Sequence, residues 1–158
     1  MVTGDRCFFR VQDYQQYRVI SRMVEELDFP IRIIGVETVR EKDGLAMSSR
    51  NSMLTDSARQ RASVLRGALV TLASEVMKAH TRQQFADVII ATRDRIEDAG
   101  GAIDYLNVVD AHTLEDVTTC CHDSDRGAFV ALVAATFDGV RLIDNIEFPD
   151  DSCGNYRK

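Results

Sequence analysis

The sequence predicts an α+β domain, with two helices on a three-stranded antiparallel sheet, preceded by a strand–helix–strand unit. Three observations predict it. Apolar residues recur at three- and four-residue intervals over 14–28 and 56–79, as on one face of a helix. From Ala102 onward the period shortens to the alternation of strands. The dipeptide Asp138-Gly139 divides the last two strand-like runs, and it is a strong hairpin signal because both positions tolerate positive φ.

Taken in order, Arg6–Phe9 is a short apolar run and reads as the end of a buried strand. The turn Arg10-Val11-Gln12-Asp13 follows. A helix is expected over Tyr14–Asp28, with Tyr17, Ile20, Val24 and Leu27 on its buried face and Asp13 as its N-cap. Pro30 stops it, and Ile31–Val36 reads as a second strand. Strand–helix–strand is the parallel unit of a doubly wound sheet, whose ligands bind at the carboxyl ends of strands, where Arg10–Asp13 would lie. Two strands and one helix cannot cover both faces of such a sheet, so residues 1–38 are expected to be the last strand–helix–strand of a larger nucleotide-binding domain.

The next helix is expected to start at the Thr55 cap and run to about Ala79, burying Ala58, Ala62, Leu65, Leu69, Leu72 and Val76. Thr81 and Gln84 match a capping box that opens another helix, with Phe85, Val88, Ile89 and Ile96 inward, ending at Gly100-Gly101. Strands are expected over Ile103–Val109, Gly127–Phe137 and Val140–Ile146, the second being central because it is almost wholly apolar. Residues 39–148 form the second domain, and Phe148–Lys158 reads as the start of a frayed tail, with 149–158 flexible.

The composition suits a soluble globular chain: 45% of residues are hydrophobic, enough for a core. The net charge of −6 disfavours a nucleic-acid surface. No apolar run approaches the roughly 20 residues of a membrane span, and the first residues carry no apolar signal core, so a cytoplasmic location is expected. Cys7, Cys120, Cys121 and Cys153 form no C-x-x-C pair. Cys120, Cys121 and His122 are adjacent, but successive residues of an extended segment point to opposite faces; no metal site is expected.

The stretch richest in chemistry is Asp43-Gly44-Leu45-Ala46-Met47-Ser48-Ser49-Arg50-Asn51. Two hydroxyls followed by a guanidinium and a carboxamide make a compact set of donors for anionic oxygens, phosphate above all. The plainer reading is a solvated loop that begins a helix.

Asp13-Tyr14-Gln15-Gln16, the run Val39–Asn51 and Arg141-Leu142-Ile143-Asp144-Asn145, in that order and spacing, resemble the pantoate–β-alanine ligase (pantothenate synthetase) family over roughly Phe9–Ile146. The resemblance is to the C-terminal portion of that family. It implies a remnant of a Rossmann-like nucleotidyltransferase domain followed by a lid domain. It also implies an ATP-dependent reaction in which pantoate becomes pantoyl adenylate, and β-alanine then displaces AMP. Such transfers need positioning and positive charge more than covalent protein chemistry.

On the same resemblance Met47-Ser48-Ser49-Arg50 matches an ATP loop. Ser48 and Ser49 would meet phosphate oxygens, and Arg50 would offset charge as pyrophosphate leaves. The alternative for Arg50 is an ion pair with Asp43 or Asp56. Val39 matches a position whose backbone meets adenine, or it simply packs at a strand end. Gln16 matches a pantoate-binding Gln, or it is a solvated helix residue. Asp13 matches an acid near the nucleotide and can be the helix cap as well.

Two departures stand beside the match. The family has Gly-Glu-Lys-Asp where this chain has Arg10-Val11-Gln12-Asp13. A side chain at Arg10 narrows the approach to the nucleotide, and Gln12 brings no charge, although Arg10 could supply one. The family's His-rich signature for the triphosphate has no counterpart, since His80, His112 and His122 stand apart; the first pantoate Gln and the magnesium-binding acid are absent as well. Magnesium would therefore be held mainly by the missing half. Losing one charged donor costs about 10²–10³ in rate, so the chain alone is expected to be inactive. The alternative is a degenerate, non-catalytic paralogue acting as a binding or assembly module. Either way the uncovered faces around Cys7–Val36 predict a homo-oligomer.

Overall fold

The computed structural model of the protein describes residues 5–117 and 128–148. Its elements are β1 (Arg6–Arg10), α1 (Tyr14–Glu26), β2 (Arg32–Val36), a 3-10 turn (Ser49–Met53), α2 (Asp56–Ala62), α3 (Val64–Val76), α4 (Arg82–Asp98), β3 (Ala102–Asp110), β4 (Phe129–Phe137) and β5 (Val140–Phe148).

The expected strand–helix–strand is present: β1 and β2 pair in parallel, from Arg6 opposite Arg32 to Arg10 opposite Val36. The C-terminal sheet is antiparallel in the order β3-β4-β5. Its apolar strand is central, as the run of buried residues in β4 requires. The β4–β5 hairpin turns at Asp138 (φ 46°) and Gly139 (φ 82°). Both lie in the left-handed region that a two-residue turn of this hand demands.

Alternation gives the sheet two covered faces. Leu106, Val108, Val133, Ala135, Phe137 and Leu142 join the main core with Ala58, Leu65, Leu69, Leu72 and Ile96 of the helices. On the other face Val109 and Val130 meet Tyr14, the first residue of α1. The sheet thus carries α2–α4 on one face, and the start of α1 touches the other at Tyr14.

Local signals are realised where they are self-contained. The Thr81 hydroxyl accepts from the Gln84 amide at 3.2 Å, and the Gln84 carboxamide accepts from the Thr81 amide at 3.1 Å. Asp13 caps α1 by accepting from the Gln16 amide at 3.4 Å.

Three expectations are corrected. The helix expected over 56–79 is two, α2 and α3, broken at Ser63, whose hydroxyl donates to the Gln60 carbonyl at 2.6 Å and competes with the helical ladder. The two helices on the sheet are therefore three. Leu27 is not on a buried face: α1 ends at Glu26, and Leu27 is 61% exposed. Phe148 does not begin a frayed tail; it ends β5 opposite Phe129 and is buried.

Cys120, Cys121, His122, Cys153, the expected strand start at Gly127 and the tail 149–158 lie outside the described residues. Cys7 is a free, half-buried thiol. Among the described residues no helix is long and apolar enough to cross a membrane.

Candidate functional site

The loop between β2 and α2 is fastened at its middle. Arg40 and Ala46 form an isolated antiparallel bridge, and Gly44 turns the chain with φ +90°, where a side chain would be strained. Leu45 and Ala46 are buried, and the Leu45 side chain enters the main core. The next residues are thereby presented at the surface. Ser48 accepts from the Arg50 amide at 3.2 Å and opens the 3-10 turn, while Asn51 donates to the Ala46 carbonyl at 3.0 Å. Ser48 is half-buried; Ser49 and Arg50 are exposed.

The Arg50 side chain has no hydrogen-bond or ion-pair partner among the described residues. Asp43 is taken by Arg59, at 2.6 and 3.1 Å, which overturns the alternative of an Arg50–Asp43 pair. Hydrogen bonding to Arg59 holds the Asp43 carboxyl below its ordinary range. Asn51 Oδ1 is buried and has no partner among the described residues.

Beneath the loop lies a buried ion pair. Arg40 meets both Asp144 oxygens at 2.8 and 2.9 Å, and the Asp144 side chain is 1% exposed. The same guanidinium donates to the Gly44 carbonyl at 3.0 Å. Arg66 lies nearby, and burial, then the Arg40 charge, lowers its pKa.

The turn Arg10–Asp13 is tied to the sheet and to the loop. The Val11 amide donates to the Val36 carbonyl at 3.0 Å. Asn145 donates to the carbonyls of Val11 and Gln12, at 2.7 and 2.8 Å. The Gln12 carboxamide donates to the Ile143 carbonyl at 3.3 Å. Arg10 reaches across, donating to the Met47 carbonyl at 2.9 Å and to Gln12 Oε1 at 3.2 Å. Tyr14 then anchors α1 by donating to the Ala111 carbonyl at 3.2 Å.

Two cavities flank Gln12. One of about 60 Å³ is lined by Gln12, Ser48, Arg50, Asn51, Arg141 and Ile143 among others. The other, about 190 Å³, lies between the start of α1 and the sheet, with Gln12, Asp13, Gln15, Tyr105, Asn107 and Ile143 in its wall.

A family model described as Pantoate-beta-alanine ligase matches residues 1–147. The chain belongs to the pantoate–beta-alanine ligase family. The relative named pantoate–beta-alanine ligase from Arabidopsis thaliana is 43% identical over 148 residues, covering 93% of this chain and 45% of its own length. The crystal structure of pantothenate synthetase from Thermus thermophilus superposes with a TM-score of 0.78 at 35% identity, covering 90% of this chain and 49% of that one. A pantoate–beta-alanine ligase from Francisella tularensis, solved in complex with beta-gamma ATP and beta-alanine, shares the fold (TM-score 0.57, 21% identity, 90% and 43% covered). The chain spans about half the length of the curated relatives it matches.

Within this pantoate–beta-alanine ligase fold, the residues picked out in the sequence are only partly gathered. Gln12, Ser48 and Arg50 share the smaller cavity, and Arg10 joins them through the Met47 carbonyl. Ser49 is beside them but exposed. Asp13 looks toward the larger cavity and caps α1 as well. Val39 is 63% exposed, so it does not pack at a strand end; its carbonyl accepts from the Met47 amide at 2.9 Å. Gln16 is exposed on α1 and lines neither cavity. Arg40, Asp144 and Asn145 were not picked out as site residues. The pattern Arg141–Asn145 marked two of them, but a strand residue's partner over a hundred positions away leaves no local trace.

Proposed function

We propose that this chain supplies the C-terminal, phosphate-contacting part of an ATP-dependent pantoate–β-alanine ligase. The observation that carries the reading is the uncommitted Arg50 guanidinium, beside Ser48 at one cavity. A guanidinium without an internal anion is ready for an external one. Ser48, Ser49 and Arg50 contact the phosphates of ATP and stabilise charge as pyrophosphate departs. Arg10 adds positive charge at the foot of the same loop. Val11, Gln12 and Asp13 border the nucleotide, the backbone of Val39 meets its adenine, Met47 opens the phosphate loop, and Gln16 faces pantoate. The domains divide as 1–38, the closing strand–helix–strand of a Rossmann-like nucleotidyltransferase unit, 39–148, the lid, and 149–158, the tail. Magnesium travels with ATP and is held mainly by the half of the family enzyme that this chain does not span. In this reading the protein is cytoplasmic, and the 158 residues alone yield no pantothenate.

The Arg10–Met47 and Gln12–Ile143 bonds favour a second reading, a non-catalytic paralogue whose turn has become a structural tie. Exposed Phe8, Leu27 and Phe29 on the first unit support self-association in both readings.

The test is calorimetric titration of magnesium–ATP into the chain and into Arg50→Ala. Saturable binding weakened at least tenfold in the variant is expected. Absence of binding in both, persisting after Arg10→Gly and Gln12→Lys, would leave the second reading.

A further inference from the structure

We propose that Asp144 and Asn145, neighbours on β5, are positioning residues that hold the two candidate phosphate loops in register. The inference rests on the ligase reading above but concerns residues to which that reading gives no role. Consecutive strand residues point to opposite faces of a sheet. Here one faces each loop.

Asn145 serves the first loop. Its carboxamide has two N–H donors, and they meet two successive carbonyls, Val11 and Gln12, at 2.7 and 2.8 Å. Two adjacent carbonyls aimed at one point fix the path of the turn, which sets where Gln12 and Asp13 stand. Asp144 serves the second loop through Arg40. Its two oxygens hold the guanidinium in one orientation, and that guanidinium also grips the Gly44 carbonyl. The loop apex is thus fixed to the sheet a few residues before Ser49. The two grips are coupled, because the Asn145 amide donates to Asp144 Oδ1 at 2.8 Å. A shift of β5 by a fraction of an ångström would move both loops together, keeping Gln12 and Arg50 on one cavity.

The arrangement is sensitive to shape and charge in different ways. Asn145→Ala removes both donors. Asn145→Asp puts a carboxylate against two carbonyls. Asp144→Asn keeps volume but sets an amide group against Arg40, whereas Asp144→Glu keeps the charge. Positioning matters here because phosphoryl and nucleotidyl transfers depend on geometry within fractions of an ångström.

The experiment combines residue-resolved amide exchange with magnesium–ATP calorimetry on the 158-residue chain. In Asn145→Ala the Val11 amide should exchange at least tenfold faster. In Asp144→Asn the Gly44 and Met47 amides should do so. The central amides of β4 should stay within twofold of the parent in both, ATP affinity should fall at least tenfold, and Asp144→Glu should recover part of it. Unchanged loop exchange, an increase spread equally through β4, or faster loops with unchanged ATP affinity would each overturn the proposal. If the parent chain binds no ATP, the ligase reading is decided separately by the Arg10→Gly and Gln12→Lys variants, and the exchange pattern alone decides whether β5 registers the loops.

Discussion

The Arg59 guanidinium closes on both oxygens of Asp43, at 2.6 and 3.1 Å, and so leaves Arg50 without the acid that lies closest to it in its own loop. Two arginines nine positions apart therefore have different prospects. One is spent on the fold and the other is available. Arg50→Ala is expected to weaken magnesium–ATP binding at least tenfold without lowering thermal stability. Arg59→Ala is expected to lower stability slightly, by about 0.2–1 kcal/mol for a partly exposed pair, and to leave binding within threefold. Equal loss of binding in both variants would contradict this division.

The same pair sets an acid limit. Hydrogen bonding to Arg59 holds Asp43 below its ordinary 3.8, and Thr55 with Arg61 does likewise for Asp138. A carboxyl whose folded pKa is depressed adds stability above its unfolded pKa and loses it as pH falls toward the folded one. The contribution should thus be complete above about pH 5 and fade below it. Urea midpoints between about pH 2.5 and 6 should show this fall, and Asp43→Asn should flatten part of it.

Breaking the Arg40–Asp144 pair from one side should be costly. Arg40→Met leaves a carboxylate that is 1% exposed without its bidentate partner, a loss of about 3–5 kcal/mol. Adding Asp144→Leu should restore much of that stability, since a buried pair replaced as a unit by apolar residues is often neutral. Urea denaturation of the single and double variants measures both. A single variant as stable as the parent would show that the pair is not what holds the loop.

Leu27, misplaced by periodicity, and Phe148, misplaced by the composition of the segment after it, should behave oppositely to their first reading. Phe148→Ala removes a buried ring tilted against Phe129, with centroids 5.9 Å apart, and should cost about 3–5 kcal/mol. Leu27→Ser should change stability by less than about 0.5 kcal/mol. If the exposed first unit drives self-association, light scattering should show Leu27→Ser shifting the chain toward monomer.

These contrasts show what the sequence could carry. Signals confined to three or four residues were legible: the Thr81–Gln84 box and the Asp13 cap complete their hydrogen bonding locally, and the Asp138-Gly139 turn needs only the positive φ of its own two residues. The order of strands was legible because β4 has no polar face. The break at Ser63 was not, since a serine inside an apolar stripe looks like any solvent-facing helical residue until its hydroxyl finds Gln60. At the candidate site, the surface Ser48–Arg50 group stood out by residue type. Its supports did not: Asn145 meets Val11 across 134 positions, and no periodicity encodes such a contact.

That separation also orders assembly in time. The helices α3 and α4 are joined by residues 77–81 and the strands β4 and β5 by residues 138–139, whereas joining the first turn to β5 closes nearly the whole chain. Loop-closure entropy makes the long contact the late one. The C-terminal layer should therefore fold first and offer a finished surface, and the strand–helix–strand unit should dock last and release first. The protein would then enter and leave its native state through a species that keeps Ser48–Arg50 in place but lacks the opposite wall of the cleft.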